Sequence, residues 1–334
     1  MILGIDVGGA NTKVASSDGK FVESVYLPLW RRRDELRQTL LKLRAAAEGR
    51  LGEKVEAVGV VMTGELCDCF RTKREGVRYI EGVVRSAFPE ALFFDKDGCF
   101  RNVSTGDELS FASTNWLASA MLVRSMFGET LFVDVGSTTT DIVPVRADTS
   151  WKPDLERLRT SELIYSGVLR TSVASILREV RLRGRRYKIA AELFAITADV
   201  YLLLGDLRRA DYTCECPDGY AYVDDDEAKS ETAALRRLAR LLCCDLEELS
   251  KEEILEIARQ VKEAQLNELV ENMRRLSRRF RLRTVVSAGV GEFLVADAAR
   301  RLNLEHTAAS EVFGEKVSRV LPAYATARLL ENSL

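Results

Sequence analysis

Histidine is all but absent: His306 is the only one in 334 residues. A Ser-His-Asp hydrolase would have to use it, and no nucleophile elbow stands nearby, so His306 reads as structural. No apolar run approaches the ~18 to 20 residues of a membrane-spanning helix. No charged leader precedes the first apolar stretch, so no signal peptide is expected and the cytoplasm is the expected compartment. The formal net charge is only -2, despite arginine-dense stretches at 178–186 and 274–283. Neither nucleic acid nor a membrane is an expected partner on that balance. The Gly-x4-Gly-Lys-Ser/Thr loop of Walker nucleotide sites is missing. So is any low-complexity linker. Seven cysteines, an odd number in a chain neither short nor visibly secreted, argue against a disulfide framework. The pairs Cys67/Cys69 and Cys214/Cys216 have the wrong gap for a four-thiolate metal site and read as reduced thiols. Trp30, Trp116 and Trp151 read as packing groups rather than a stacking platform.

What is present is an alternation of strand and helix patterns. The length favours two domains, expected at residues 1–128 and 129–334. Residues 2–7 read as a buried strand, followed by two more around Asp18-Gly19. Leu36, Leu40, Leu43 and Ala47 share one face of a helix over 33–50. A strand at 55–62, a helix at 72–87, a strand at 91–95 and a helix over 110–127 capped by Ser110 follow. The second half reads as strands at 130–135 and 140–146, then a hairpin turning at Arg183-Gly184 and a helix over 192–204. A polar loop over 209–227 precedes helices over 228–244 and 251–280. "TVVSAGVGEFLVADAA" gives a strand, a glycine turn and a helix. A last helix, over 322–331, is read as able to pack back on the first domain.

One phrase occurs twice. "LGIDVGGANTKVA" at 3–15 is matched by "LFVDVGSTTTDIV" at 131–143, with Asp6, Gly8 and Thr12 each 128 residues before Asp134, Gly136 and Thr140. In each copy a strand ends in Asp-Val-Gly, turns and returns antiparallel. Glycine lets the backbone curl so that N–H groups face one concavity, an anion-binding arrangement. Gly8, Gly9, Asn11 and Thr12 form the first candidate phosphate turn; Gly136, Ser137, Thr138 and Thr139 form the second. Asp6, Asp134 and Asp141 are placed to hold Mg²⁺. Two such turns suit a polyphosphate ligand.

These turns resemble those of the actin, sugar kinase and Hsp70 superfamily, in its hydantoinase/oxoprolinase branch. The resemblance implies two ribonuclease-H-like (actin-like ATPase) α/β domains with an interdomain cleft, and a third glycine turn, matched by Gly289 and Gly291 in "SAGVGEFL". "DVGGANTK", "TGELCDCF", "DVGSTTTD", "YSGVLRT" and "AELFAITADVYLLLGDL" narrow it to a subfamily associated with tetrahydromethanopterin-linked one-carbon metabolism. The reaction it implies belongs to methanofuran biosynthesis. The phenol of γ-glutamyltyramine displaces diphosphate from (5-aminomethylfuran-3-yl)methyl diphosphate. Small molecules are then the partners; oligomeric state is left open, a homodimer included.

The implied leaving group gathers charge as its C–O bond breaks. Mg²⁺, Lys13, Asp134 and turn amides are the expected stabilisers. The phenol, with an ordinary pKa near 10, needs a proton acceptor. Asp199 in "TADVY" is one candidate for that role or for holding substrate; its bland reading is a helix cap. Glu65 in "TGEL" is the other, with a helix N-terminal acid as its bland reading. The fold equally admits an ATP-dependent kinase or amidohydrolase-like enzyme, and less readily a nucleotide-gated, non-enzymatic protein of the actin type.

Overall fold

A computed structural model describes residues 1–334. The protein is mixed α/β and divides into two compact units. One comprises Met1–Phe132, Val143–Thr160 and Thr307–Leu334; the other comprises Val133–Ile142 and Ser161–His306.

The first unit is built on β1 (Ile2–Val7), β2 (Asn11–Ser16), β3 (Val22–Tyr26), β4 (Ala57–Met62), β5 (Ala91–Phe94) and β6 (Phe100–Arg101), in the order β3-β2-β1-β4-β5-β6. β1 runs antiparallel to β2 and parallel to β4. β1 and β4 carry near-continuous apolar runs because both their faces are covered. Leu36, Leu40, Leu43 and Ala47 of helix Leu36–Leu51 point into this core, as their spacing predicts. Helix Leu321–Glu331 lies directly on the central strands. A Cβ on Gly4 would stand 1.9 Å from the Ala323 carbonyl, and one on Gly59 would stand 2.9 Å from Thr326. That close approach is why the C-terminal segment groups with the first unit. A division at residue 128 assigns both this segment and Val143–Thr160 to the second domain.

The second unit contains most of a five-stranded sheet. Its strands are β7 (Thr130–Val135), β8 (Thr140–Val145), β9 (Leu163–Ile164), β12 (Thr284–Ala288) and β13 (Glu305–Ala308), in the order β13-β12-β7-β8-β9. Between them in sequence come a hairpin, β10 (Glu179–Leu182) and β11 (Arg185–Lys188), and most of the helices. The hairpin turns through Arg183 and Gly184, whose φ angles of 50° and 74° suit a two-residue turn that follows strand twist. Helix Lys251–Phe280 opens on a Ser250/Glu253 capping box. Its buried Ile254, Ile257, Ala258 and Val261 join Val180, Leu238 and Val200 in one core.

Two expected helices start later than their sequence suggests. The helix expected from residue 110 begins at Asn115, because Ser113 takes a left-handed φ of 51° that no helix accommodates. Ser110 does not cap it; its hydroxyl bonds Asp107 within a short 3-10 turn. The helix expected from 192 begins at Thr197.

Candidate functional site

The two copies of the repeat fold alike. The Gly8 amide donates to the Asn11 carbonyl at 2.9 Å, and the Gly136 amide donates to the Thr139 carbonyl at 2.9 Å. Each strand thus ends in a turn closed by the same bond, 128 residues apart. The physical reason for glycine differs from the sequence expectation. Neither Gly8, Gly9 nor Gly136 has a positive φ. Gly8 and Gly9 are set by crowding instead: a Cβ on Gly8 would meet the Asn11 carbonyl at 2.8 Å, and one on Gly9 would meet the Cys67 sulfur at 2.9 Å. At Gly136 the fit is looser, with the Thr139 carbonyl at 3.4 Å.

In both turns the neighbouring chain takes the carbonyls and leaves amides. In the first, Leu29 and Leu27 donate to the carbonyls of Gly9 and Ala10, both at 2.9 Å. The amides of Gly9 and Ala10 find no acceptor in the protein. The Thr12 hydroxyl is buried and also without a partner. In the second, Val168 donates to Gly136, while Leu169 and Arg170 donate to Ser137. The amides of Ser137 and Thr138 have no acceptor in the protein. Turn N–H groups left without an acceptor are what an anion needs.

Charge is arranged around each turn. Asp6 and Lys13 are register partners on β1 and β2, with Nζ 3.8 Å from the carboxylate. Asp6 is buried and Lys13 half-buried. Around the second turn, Arg170 donates from its guanidinium to the Thr138 hydroxyl at 3.1 Å. The loop carrying Gly289 and Gly291 packs on the base of this turn: the Gly291 amide donates to Val135 at 2.9 Å. Gly289 has a φ of 90°, and a Cβ there would stand 2.4 Å from the Asp134 carboxylate. This third glycine turn therefore makes room for the Asp134 side chain. Gly167 does the same for the turn backbone, since its Cβ would lie 2.5 Å from Thr138 N. Asp141 follows on β8, opposite Leu163 of β9. Sequence reasoning did not single out Arg170 or Gly167, although both lie in "YSGVLRT".

Beside the first turn lies the segment 63–67. The Thr63 amide donates to the Val7 carbonyl at 3.0 Å, Gly64 abuts the Gly8 carbonyl, and Cys67 abuts Gly9. Glu65 sits in the middle of this segment and is 1% exposed. Gly76 of helix Lys73–Ala87 packs on its backbone, where a Cβ would come within 2.2 Å of the Glu65 carbonyl. One carboxyl oxygen of Glu65 contacts the Ser113 hydroxyl at 3.1 Å; the other, Oε2, is buried without a partner. Burial pushes the carboxyl up to about 7, with Lys73 and Ser113 opposing and Asp154 reinforcing the rise.

Asp199 is placed elsewhere. It is fully buried, with Oδ1 accepting from the Arg237 guanidinium at 2.6 Å and from the Tyr212 hydroxyl at 2.8 Å. Its Oδ2 accepts from the Ile196 amide at 3.0 Å, which makes it the N3 capping acid of helix Thr197–Leu204. Both oxygens are engaged by groups of the second unit. Burial raises its carboxyl above the ordinary range, while Arg237 lowers it. His306 meets the fully buried Ser287 hydroxyl at 2.8 Å. All seven cysteines are free thiols. No group of three or more His, Cys, Asp or Glu side chains converges as a metal cluster. No helix is long and apolar enough to cross a membrane.

Two sheet-centred α/β units, each carrying an amide-lined turn at a strand end, define the class of protein. The family model for Hydantoinase/oxoprolinase matches residues 56–332, and the chain belongs to that family. A protein of Methanocaldococcus jannaschii, named (4-{4-[2-(gamma-L-glutamylamino)ethyl]phenoxymethyl}furan-2-yl)methanamine synthase, is 36% identical over 100% of this chain and 98% of its own. A protein of the same name from Methanococcus vannielii is 32% identical over 61% of this chain and 91% of its own. Among solved structures, (R)-2-hydroxyglutaryl-CoA dehydratase component A of Acidaminococcus fermentans aligns over 100% of this chain and 99% of its own, with 11% identity and a TM-score of 0.48.

Proposed function

We propose that the protein is a diphosphate-displacing transferase of methanofuran biosynthesis. In this reading the phenol oxygen of γ-glutamyltyramine attacks the CH2 of (5-aminomethylfuran-3-yl)methyl diphosphate. A C–O bond forms to the phenol oxygen, the C–O bond to diphosphate breaks, and diphosphate departs with the electron pair. The observation that carries the reading is the pair of turns that keep their amides free, in a chain 36% identical over its whole length to a protein named for the ether product.

The residues fit this chemistry. Negative charge developing on the leaving group would be met at the first turn by the amides of Gly9 and Ala10 and by Lys13, or at the second turn by the amides of Ser137 and Thr138 and by Arg170. Fixed donors of this kind need no reorganisation as the charge appears. The hydroxyls of Thr12, Thr138 and Thr139 add donors. Asn11 closes the first turn through its carbonyl. The furan ring shares positive charge at the reacting carbon, so no covalent enzyme intermediate is needed.

Mg²⁺ fits the donor set as well. Asp134 offers hard oxygens in a space that Gly289 leaves open, and Mg²⁺ is generally held by one or two carboxylates plus substrate phosphates rather than by a full protein cage. In the second unit Asp134, with Asp141 as a further carboxylate, would hold it; in the first unit Asp6 would be the carboxylate; either way its charge would neutralise part of the diphosphate's.

The test is mass spectrometry of the two substrates incubated with the protein and Mg²⁺, without ATP. An ether product with stoichiometric diphosphate release is expected. No product without ATP, together with substrate-stimulated ADP formation once ATP is added, would overturn the reading in favour of a kinase-like enzyme.

A further inference from the structure

Ser113 sits between two carboxyl groups. Its hydroxyl lies 2.7 Å from Asp154 Oδ2 and 3.1 Å from Glu65 Oε1. A hydroxyl has one proton to give and two lone pairs. It can satisfy only one of the two as a carboxylate. Asp154 is flanked by cations, with Lys73 at 3.6 Å and Arg157 at 3.8 Å. The shorter contact assigns the Ser113 proton to Asp154. The lone pair of Ser113 then faces Glu65. A neutral Glu65 can donate into that lone pair, whereas an ionised Glu65 is steadied when the Ser113 hydroxyl turns its proton to Oε1 instead.

The array therefore has a built place for one extra proton on Glu65. It runs from the buried to the half-exposed: Glu65 is 1% exposed, while the Lys73 and Asp154 side chains are 33% and 25% exposed. Ser113 is held in place by an unusual backbone, with a φ of 51°. At the buried end, Oε2 has no protein partner, and Gly64 and Cys67 of the same segment abut the first turn. A polar oxygen buried this completely without a partner costs free energy, and it is explained when a substrate atom supplies the partner.

We propose that Glu65 takes the proton of the attacking hydroxyl, and that Ser113 and Asp154 hold that proton and lead it to solvent. This rests on the transferase reading above. The phenol O–H bond breaks and an O–H bond forms on Glu65 as the ether bond is made. The protonated carboxyl then turns to donate to Ser113, which donates to Asp154. The proton leaves by way of Asp154 to water, and Glu65 is again ionised for the next turnover. Glu65 is the catalytic residue in this scheme, and Ser113 and Asp154 are positioning residues. The charged groups facing Glu65 are Lys73 from one helix and Asp154 from another, with Arg157 behind it.

Two measurements on the full-length protein test this. The first is a substrate-free infrared titration, wild type minus Glu65→Gln, following the carbonyl band of a neutral buried carboxylic acid. The expected midpoint is near 7, moving to lower pH in Asp154→Asn because a like charge is removed. A band that titrates in the ordinary glutamate range, or that Asp154→Asn leaves unmoved, overturns the array. The second is the rate of ether formation against pH. Glu65→Gln should lower kcat by ~10² to 10⁴-fold, the range for general-base catalysis, with KM for the furan diphosphate unchanged. The acid limb of the profile should vanish in Glu65→Gln and shift to lower pH in Asp154→Asn. Wild-type ether formation alongside a Glu65→Gln variant that retains rate and limb overturns the role of Glu65 and leaves the transferase standing. No ether from the wild type overturns the transferase, and the proton-acceptor role with it, even where the infrared titration succeeds.

Discussion

Asp134 and Asp199 look equivalent in sequence, each an acid in an apolar context, and the structure separates them by their partners. Asp134 shares its surroundings with a glycine loop that leaves its carboxylate room. Replacing it with asparagine keeps size and removes charge, so the expected loss falls on kcat. About 3 kcal/mol, roughly a hundredfold or more, is the scale for one strong electrostatic contact in a transition state. Steady-state rates of ether formation measure it, and Asp141→Asn should cost less if that residue only supports the turn. Asp199 belongs to a buried network with Arg237, Tyr212 and Asp218, in which both Asp199 and Arg237 are 0% exposed. Arg237→Met should leave a buried acid uncompensated and destabilise the protein by ~3 to 5 kcal/mol. Urea titration gives that number, and kcat per folded molecule should be retained. A large kcat loss with stability intact would restore Asp199 as a chemical group. The partner that decides the matter lies 38 residues along the chain. Nothing local in "TADVY" reveals it, whereas Gly8 announces its turn because the carbonyl that crowds it belongs to Asn11 of the same turn.

At the scale of elements, strands were the most legible. β1, β4 and β7 are apolar runs, and apolar runs of that length between glycine-containing turns have few other uses. Helix starts were less so, because the start at Asn115 depends on the backbone of Ser113, and a left-handed serine carries no sequence signal. β13 was missed because "EHTA" is short and polar. The seating of helix Leu321–Glu331 was only hinted at, since it depends on two glycines in distant strands. One of them, Gly4, makes the opposite prediction from Gly82. Gly4→Ala would drive a methyl group to 1.9 Å from the Ala323 carbonyl, so helix and sheet must part. A loss of ~1 to 3 kcal/mol or more is expected. Gly82 lies inside helix Lys73–Ala87 with nothing within 4 Å of a Cβ, so Gly82→Ala should instead stabilise by ~0.5 to 1 kcal/mol. Thermal unfolding of the two variants beside the wild type checks both signs. Equal shifts would show that crowding on β1 is not what limits the site.

For the whole molecule, the buried Glu65 couples folding to pH in a direction opposite to that of most acids. Its carboxyl is raised from an ordinary value of 4.5 to about 7 in the folded chain, chiefly by burial. Between those two values the folded state binds more protons at this residue than the unfolded state does. Its contribution to stability is therefore fully present below 4.5 and is lost as pH rises through about 7. Near 1.4 kcal/mol per tenfold change in proton affinity, the whole effect is about 3 kcal/mol. A salt-bridged acid such as Glu253, lowered to about 2 by the Arg183 guanidinium, acts the other way and matters only at much lower pH. Glutamine at position 65 has the same shape and does not titrate. The unfolding free energy of the wild type should fall relative to that of Glu65→Gln by about 3 kcal/mol between about pH 5 and about pH 8, with the difference settled once Glu65 is ionised. Parallel urea titrations of the two proteins across that range measure it. Curves that stay parallel would mean that Glu65 folds already ionised, and that the oxygen beside the first turn has found a partner the geometry does not show. A gap that opens with its midpoint near 7 would mean that the protein gives up stability to keep an acid in its interior, as expected of a group retained for chemistry rather than for folding.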